Sequence, residues 1–122
     1  MTRIAVQEEA IFDYVEAVRR LDGQPELFGM VASIFVEDCP SELKALRAAL
    51  DCGNAEAVAF TAHKLKGALG SIGATPARAA ARRLEQLGRE GNLAAAREAY
   101  PALETSLNVL LPALEPYLET VA

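Results

Sequence analysis

The sequence predicts an all-α protein, an up-and-down antiparallel four-helix bundle with an additional short N-terminal helix. Three observations predict it. Apolar residues recur at helical spacing almost from end to end, and β-branched or aromatic residues never alternate with polar ones long enough for a strand. Turn-forming clusters interrupt the helical pattern, and the connections they make are short enough to set successive helices side by side and antiparallel. The 122 residues fit a single domain, residues 1–122, able to bury one core without disulfide or metal.

The elements follow in order. Residues 7–21 carry Ile11, Tyr14, Val15 and Val18 at helical spacing, and the turn Asp22-Gly23-Gln24-Pro25 ends that helix and opens the next. The second helix, about residues 26–50, presents Leu27, Met30, Val31, Ile34, Phe35, Leu43, Leu46 and Leu50 as a stripe, with a kink or short break expected at Pro40. Gly53 suits a left-handed cap and Asn54 the N-cap of a third helix, about residues 55–72. In the connector Gly73-Ala74-Thr75-Pro76, Thr75 is placed as N-cap and Pro76 as the first helical residue. The fourth helix runs to Arg89 or Glu90, and Gly91-Asn92 repeats the stop-and-cap pattern. Residues 93–121 have helical spacing but contain Pro101, Pro112 and Pro116, which predicts one bent helix or two pieces.

Composition narrows the function. Apolar residues make up 52% and charged residues 24%, a globular balance, and no apolar run is long enough to span a bilayer. The N-terminus lacks a signal-peptide layout, so a cytoplasmic protein with no membrane partner is expected. Cys39 and Cys52 fit free thiols in a reducing compartment. A net charge of −5 argues against a general nucleic-acid binder, whose affinity rests on clustered Lys and Arg.

His63 is the only histidine. Val58, Ala62, Leu65, Leu69 and Ile72 form the core seam of its helix, and at about 100° per residue His63 points about 150° away from that seam, outward. Ala59, Lys66, Gly67, Gly70 and Ala74 share its face. Two glycines inside a helix each cost about 0.5–1 kcal/mol relative to alanine, so something favours their missing side chains. Close packing within the bundle is one reason, and a partner needing a flat floor beside the imidazole is the other. The outward histidine favours the partner. Imidazole suits a phosphoryl carrier because one ring nitrogen keeps a free lone pair near neutral pH. Lys66, one turn along, is placed to neutralise phosphoryl charge, while Lys64 lies about 100° around the helix and adds general positive potential. By spacing alone, a merely solvated histidine competes evenly with a functional one.

The stretch Ala62-His63-Lys64-Leu65-Lys66-Gly67-Ala68-Leu69-Gly70-Ser71-Ile72-Gly73-Ala74 resembles the signature of histidine-containing phosphotransfer (HPt) domains of bacterial phosphorelays. In that signature a histidine precedes Leu-Lys-Gly, small residues and a Gly-Ala. The resemblance extends from about residue 11 to about residue 95, through Phe35, Pro40 and Leu46 upstream and Leu84-Glu85 and Gly91-Asn92 downstream. It implies that His63 accepts a phosphoryl group from a receiver-domain phospho-aspartate and relays it to another, without independent kinase activity. Lys66 and Gly67 match directly, and Ala68 departs from a position where many members carry serine. Response-regulator receiver domains, and a hybrid histidine kinase, are the implied partners. The receiver would supply catalytic aspartates and Mg²⁺, and this chain no intrinsic cofactor or metal.

If the third and fourth helices form a hairpin turning near Ala74, His63 is level with Glu85. Glu85 can then orient the imidazole, and Arg89 can help hold phosphate. Arg78, Arg82, Glu85 and Arg89 share one flank, for which a solvated charged face is the competing reading. Phe60 is either an exposed contact or the edge of the core. The receiver-docking residues expected are Ala59, Phe60, Lys64, Gly67, Gly70 and Arg89. The rivals are a scaffold indifferent to His63 and the phosphoacceptor domain of a histidine kinase, which needs an ATP-binding domain for which there is no room. A metal enzyme lacks partner ligands for its one histidine, and a serine or cysteine hydrolase lacks a base or oxyanion arrangement. A monomer is expected, and Met1 with a complete bundle favours a free-standing protein. The donor, the recipient and the direction of transfer are not written in the sequence.

Overall fold

A computed structural model describes residues 11–118. Its helices are α1 (Tyr14–Arg20), α2 (Pro25–Asp51), α3 (Ala55–Ile72), α4 (Thr75–Arg89) and α5 (Leu93–Leu114), followed by a short 3₁₀ turn, Glu115–Tyr117. The described residues contain no strand. The long helices α2 to α5 pack in sequence as an up-and-down bundle, with α3 and α4 the most extensively joined pair and α1 lying against α2 and α3.

Local chemistry sets most boundaries. The Asn54 side chain accepts the Ala57 N–H at 3.0 Å to cap α3, and Asn92 accepts that of Ala95 at 3.1 Å to cap α5. The first helix differs from expectation: Asp13 accepts the Glu16 N–H at 3.0 Å and starts α1 there, so the pattern over residues 7–21 is interrupted. Residues 7–10 of that expectation lie outside the described residues. Phe12, just before the cap, is buried, whereas Val15 is 75% exposed. The α3–α4 connector also differs. Gly73 adopts φ +80°, the Ala74 N–H returns to the Leu69 carbonyl at 3.0 Å, and Ala74 rather than Thr75 is the N-cap, without a side-chain bond. The tight turn consumes only Gly73 and Ala74, leaving Thr75 already helical. The Asp13 N–H donates to the Gly73 carbonyl at 2.9 Å, strapping the start of α1 to this turn.

Of the alternatives expected at the prolines, an interruption of the helix does not occur at Pro40, Pro101 or Pro112. Helix α2 runs unbroken through Pro40, and α5 through Pro101 and Pro112; only Pro116 coincides with a change, to the 3₁₀ turn. An interior proline costs about 3 kcal/mol or more locally. Burial on both sides offsets it: Phe35, Cys39 and Leu46 flank Pro40, and Leu103, Leu107, Leu110 and Leu114 continue the α5 seam. Residues 119–121 lie outside the described residues.

The core seam of α3, Val58, Ala62, Leu65, Leu69 and Ile72, is fully buried and packs with Leu84 and Leu87 of α4. The α2 stripe is rotated from expectation, with Phe28, Ala32, Phe35 and Cys39 buried and Met30 and Ile34 exposed. An aromatic cluster closes one end, where Phe12, Tyr14, Phe28 and Tyr117 meet at centroid distances of 4.7–6.0 Å. The Arg97 guanidinium of α5 donates to the Leu50 carbonyl at 2.8 and 3.1 Å, adding to the Gly53 N–H that reaches the same oxygen at 3.4 Å near the C-terminus of α2.

Candidate phosphotransfer site

The closest approach of α3 and α4 determines the geometry. A Cβ on Gly88 would lie 2.7 Å from the Ala59 nitrogen and 3.0 Å from the Ala55 carbonyl oxygen, so the absent side chain lets two backbones touch. One turn earlier on α4, Glu85 is thereby brought against His63. The Glu85 side chain is buried, while the His63 side chain is 60% exposed.

Glu85 is a hub for three cationic or hydrogen-bonding partners. Its Oε2 lies 2.7 Å from His63 Nδ1 and accepts from Arg89 at 2.6 Å, and its Oε1 is 2.7 Å from Lys66 Nζ. Lys66 holds the Glu85 carboxyl below the usual carboxylate range; burial opposes this, and His63 and Arg89 add to the lowering. Glu85 is therefore ionised near neutral pH and can only accept hydrogen bonds. The proton between it and His63 belongs on Nδ1, which leaves the lone pair on Nε2. An outward ring with a fixed tautomer and a free Nε2 can act as a nucleophile.

Other predicted residues fall into place separately. Lys66 and Arg89 are held by Glu85 rather than standing free beside the imidazole, because the buried carboxylate needs compensating charge. Lys64 reaches away, to Glu42 of α2 at 3.2 Å, and sits 5.6 Å from the Phe60 ring centroid. Phe60 is 66% exposed, which places it outside the core. A Cβ on Gly67 would meet nothing within 4 Å, whereas one on Gly70 would meet Arg78 at 3.2 Å. The Gly70 carbonyl also accepts from Arg20 at 3.0 Å, so internal packing accounts for Gly70 but not for Gly67. The Ala59 backbone lies against Gly88, and the residue is half-buried. Ala74 lies beyond the end of α3, buried in the turn.

Sequence reasoning missed Gly88 and Glu42. The signal for Gly88 was available in the small residues Ala55 and Ala59 four apart on the facing helix; Glu42 had none, since its role depends on the register of α2 against α3. A groove of about 260 Å³ also opens between α2 and α3 on the Lys64 side, lined by Val31, Ile34, Phe35, Leu65 and Ala68 with Asp38 and Glu42. Among the described residues no group of three or more His, Cys, Asp and Glu is gathered as for a metal, and no helix is long and apolar enough to cross a membrane.

Comparison with known proteins defines the class. The sequence model of the Hpt domain matches residues 30–113, and the chain belongs to that family. It is a histidine phosphotransfer domain of phosphorelays, a family whose members interact with response-regulator receiver domains and histidine kinases. Its fold is similar to the crystal structure of histidine-containing phosphotransfer protein B (HptB) from Pseudomonas aeruginosa PAO1, with a TM-score of 0.79 and 24% sequence identity over 87% of this chain and 92% of that one. No curated protein gives a match.

Proposed function

We propose that His63 is the phosphoacceptor, taking a phosphoryl group from the phospho-aspartate of one receiver domain and passing it to the aspartate of another. The observation that carries this reading is the buried Glu85 carboxylate 2.7 Å from Nδ1 of the exposed His63 ring; with the proton held on Nδ1, the neutral ring has its lone pair on Nε2. The Nε2 lone pair attacks phosphorus, the P–O bond to the aspartyl oxygen breaks, and its electrons leave with the aspartate carboxylate. The phosphorylated ring keeps its Nδ1 proton and is cationic, and the adjacent Glu85 charge stabilises it. Onward transfer is the same step reversed onto a second carboxylate.

Lys66 has three N–H donors, so it can keep Glu85 while another N–H meets a phosphoryl oxygen. Arg89, also on Glu85, contributes positive charge at the same place. Gly67 supplies bare helix beside the ring, and Phe60 an exposed aromatic contact, with Lys64 and Gly70 on the docking face around them. Catalytic aspartates and Mg²⁺ belong to the receiver in this reading, and the chain has no kinase activity of its own. It works as a cytoplasmic monomer.

The test is incubation of wild type and His63→Gln with a phosphorylated receiver and Mg²⁺, scoring acid-labile, base-stable label on this chain. Label on wild type alone is the expected result. Absence of label on folded wild type with each of several receivers contradicts the reading and favours a scaffold.

A further inference from the structure

The chain as a whole is acidic, with a net charge of −5, but its basic residues are not spread evenly. Helix α4 carries Arg78, Arg82, Arg83 and Arg89 against one acid, Glu85, whose charge is already taken up by His63, Lys66 and Arg89. Arg78, Arg82 and Arg83 are exposed, and among the described residues none of the three has an acidic partner. Unbalanced charge concentrated on one helix face sets up a local potential that net charge conceals.

These arginines line adjoining hollows. Arg82 lies with Lys66 and Arg89 in the depression over Glu85; Arg82, Arg83 and Arg78 line the next; and Arg78 with Arg20 lines a third at the α3–α4 turn. Shared residues make the three a continuous basic trough starting beside His63. From Arg89 to Arg78 it runs about 16 Å at the helical rise. The opposite flank of His63 carries no such excess: Asp38, Glu42 and Lys64 line the α2–α3 groove, and Lys64 is paired with Glu42 at 3.2 Å. The imidazole thus stands between a basic side and a side of mixed charge.

We infer that Arg78, Arg82 and Arg83 form a steering surface for an acidic protein face, the carboxylate-rich surround of the partner aspartate that exchanges phosphoryl with His63. This rests on the phosphotransfer reading above. Continuity with the His63 site favours that occupant, since a partner delivering its aspartate to Nε2 must lie over the start of the trough. A duplex nucleic acid or an anionic membrane extends well beyond so short a strip and meets the α2 acids. The trough acts on encounter and orientation, so it raises the rate at which a partner is captured rather than the rate of the chemical step.

The probe is a phosphorylated receiver domain chosen because it labels wild type, used against wild type, Arg78→Glu/Arg82→Glu/Arg83→Glu and the matching triple Gln variant. Phosphoramidate, a small donor needing no docking face, checks that His63 is reactive in each, and circular dichroism checks the fold. Steering predicts a fall of about tenfold or more in kcat/KM for the Glu triple variant at low salt, with kcat changed little. The Gln triple variant falls between, and the differences shrink between about 0.05 M and about 0.5 M NaCl as charges are screened. Equal kcat/KM and equal salt dependence in wild type and the Glu variant overturn the inference while leaving phosphotransfer intact. Failure of every receiver to label wild type removes the phosphotransfer reading itself, and this one with it. Binding of duplex DNA or phosphatidylglycerol vesicles that the Glu variant loses, with receiver transfer unchanged, overturns it in favour of that other polyanion.

Discussion

Glu85 Oε2 stands 2.7 Å from His63 Nδ1, a buried carboxylate of α4 holding an exposed ring of α3. The pair can meet because Gly88 lets the two helices approach to backbone contact. Glu85→Gln keeps the shape but removes the charge, and an amide no longer dictates which ring nitrogen carries the proton. Phosphoryl transfer to His63 is expected to slow by about tenfold or more, with Glu85→Asp recovering part of the loss. Rapid-quench labelling measures it, and an unchanged rate in Glu85→Gln would reduce the contact to a structural one.

The helical glycines should respond in opposite directions. Gly88→Ala drives a methyl into the Ala59 and Ala55 backbone and is expected to destabilise by about 1–3 kcal/mol. Gly67→Ala points into open space and should stabilise by about 0.5–1 kcal/mol through helix propensity. Gly67→Gln should likewise fold, yet transfer poorly with a receiver because the new side chain occupies the floor beside His63. Urea melts and receiver labelling separate the two effects; normal transfer in Gly67→Gln removes the docking role of that position.

Acid should weaken the fold partly through Glu85. Lys66 above all holds its carboxyl below the usual range in the folded protein, so the unfolded chain binds this proton more readily. The stability it contributes is complete above the ordinary carboxylate value and is lost as pH falls through the lower folded value. Wild type should therefore have a higher Tm than Glu85→Gln at neutral pH, with the gap closing on acidification. A gap independent of pH contradicts the ionic role.

The two thiols should differ sharply in reactivity. Cys39 is buried, and burial with Glu42 nearby pushes its thiol up to about 11, whereas Cys52 is exposed. At about pH 8, iodoacetamide should alkylate Cys52 in the folded protein and reach Cys39 only after unfolding. Mass spectrometry of tryptic peptides reads both sites, and comparable rates at the two would show that α2 opens readily.

The parts legible in the sequence were those governed by short-range rules. Asn54, Gly73 and the buried seam of α3 gave that helix its limits and its outward histidine, and equal distance from the turn placed Glu85 level with it. Asp13 escaped because apolar spacing runs straight past it, so a cap was hidden inside an apparent helix. The prolines left a break and a bend as alternatives, and the choice against a break depends on the burial on either side of them, which local cost does not include. Lys66, Arg89 and Lys64 could be placed on faces, but where a long flexible chain puts its charge depends on the facing helix. Gly70 and Gly67 look alike in sequence; only Arg20 and Arg78, brought in by the fold, distinguish them.

In the phosphorylated protein, phosphoryl should reside on Nε2 of His63 while Glu85 holds the proton on Nδ1. Because His63 is the only histidine, protein labelled with ¹⁵N-histidine yields one imidazole to observe by NMR. After treatment with phosphoramidate, Nε2 should couple to phosphorus and the Nδ1 proton should be retained, the latter lost or weakened in Glu85→Gln. Phosphorus coupled to Nδ1, or a phosphorylated protein whose imidazole signals have not moved, would contradict it.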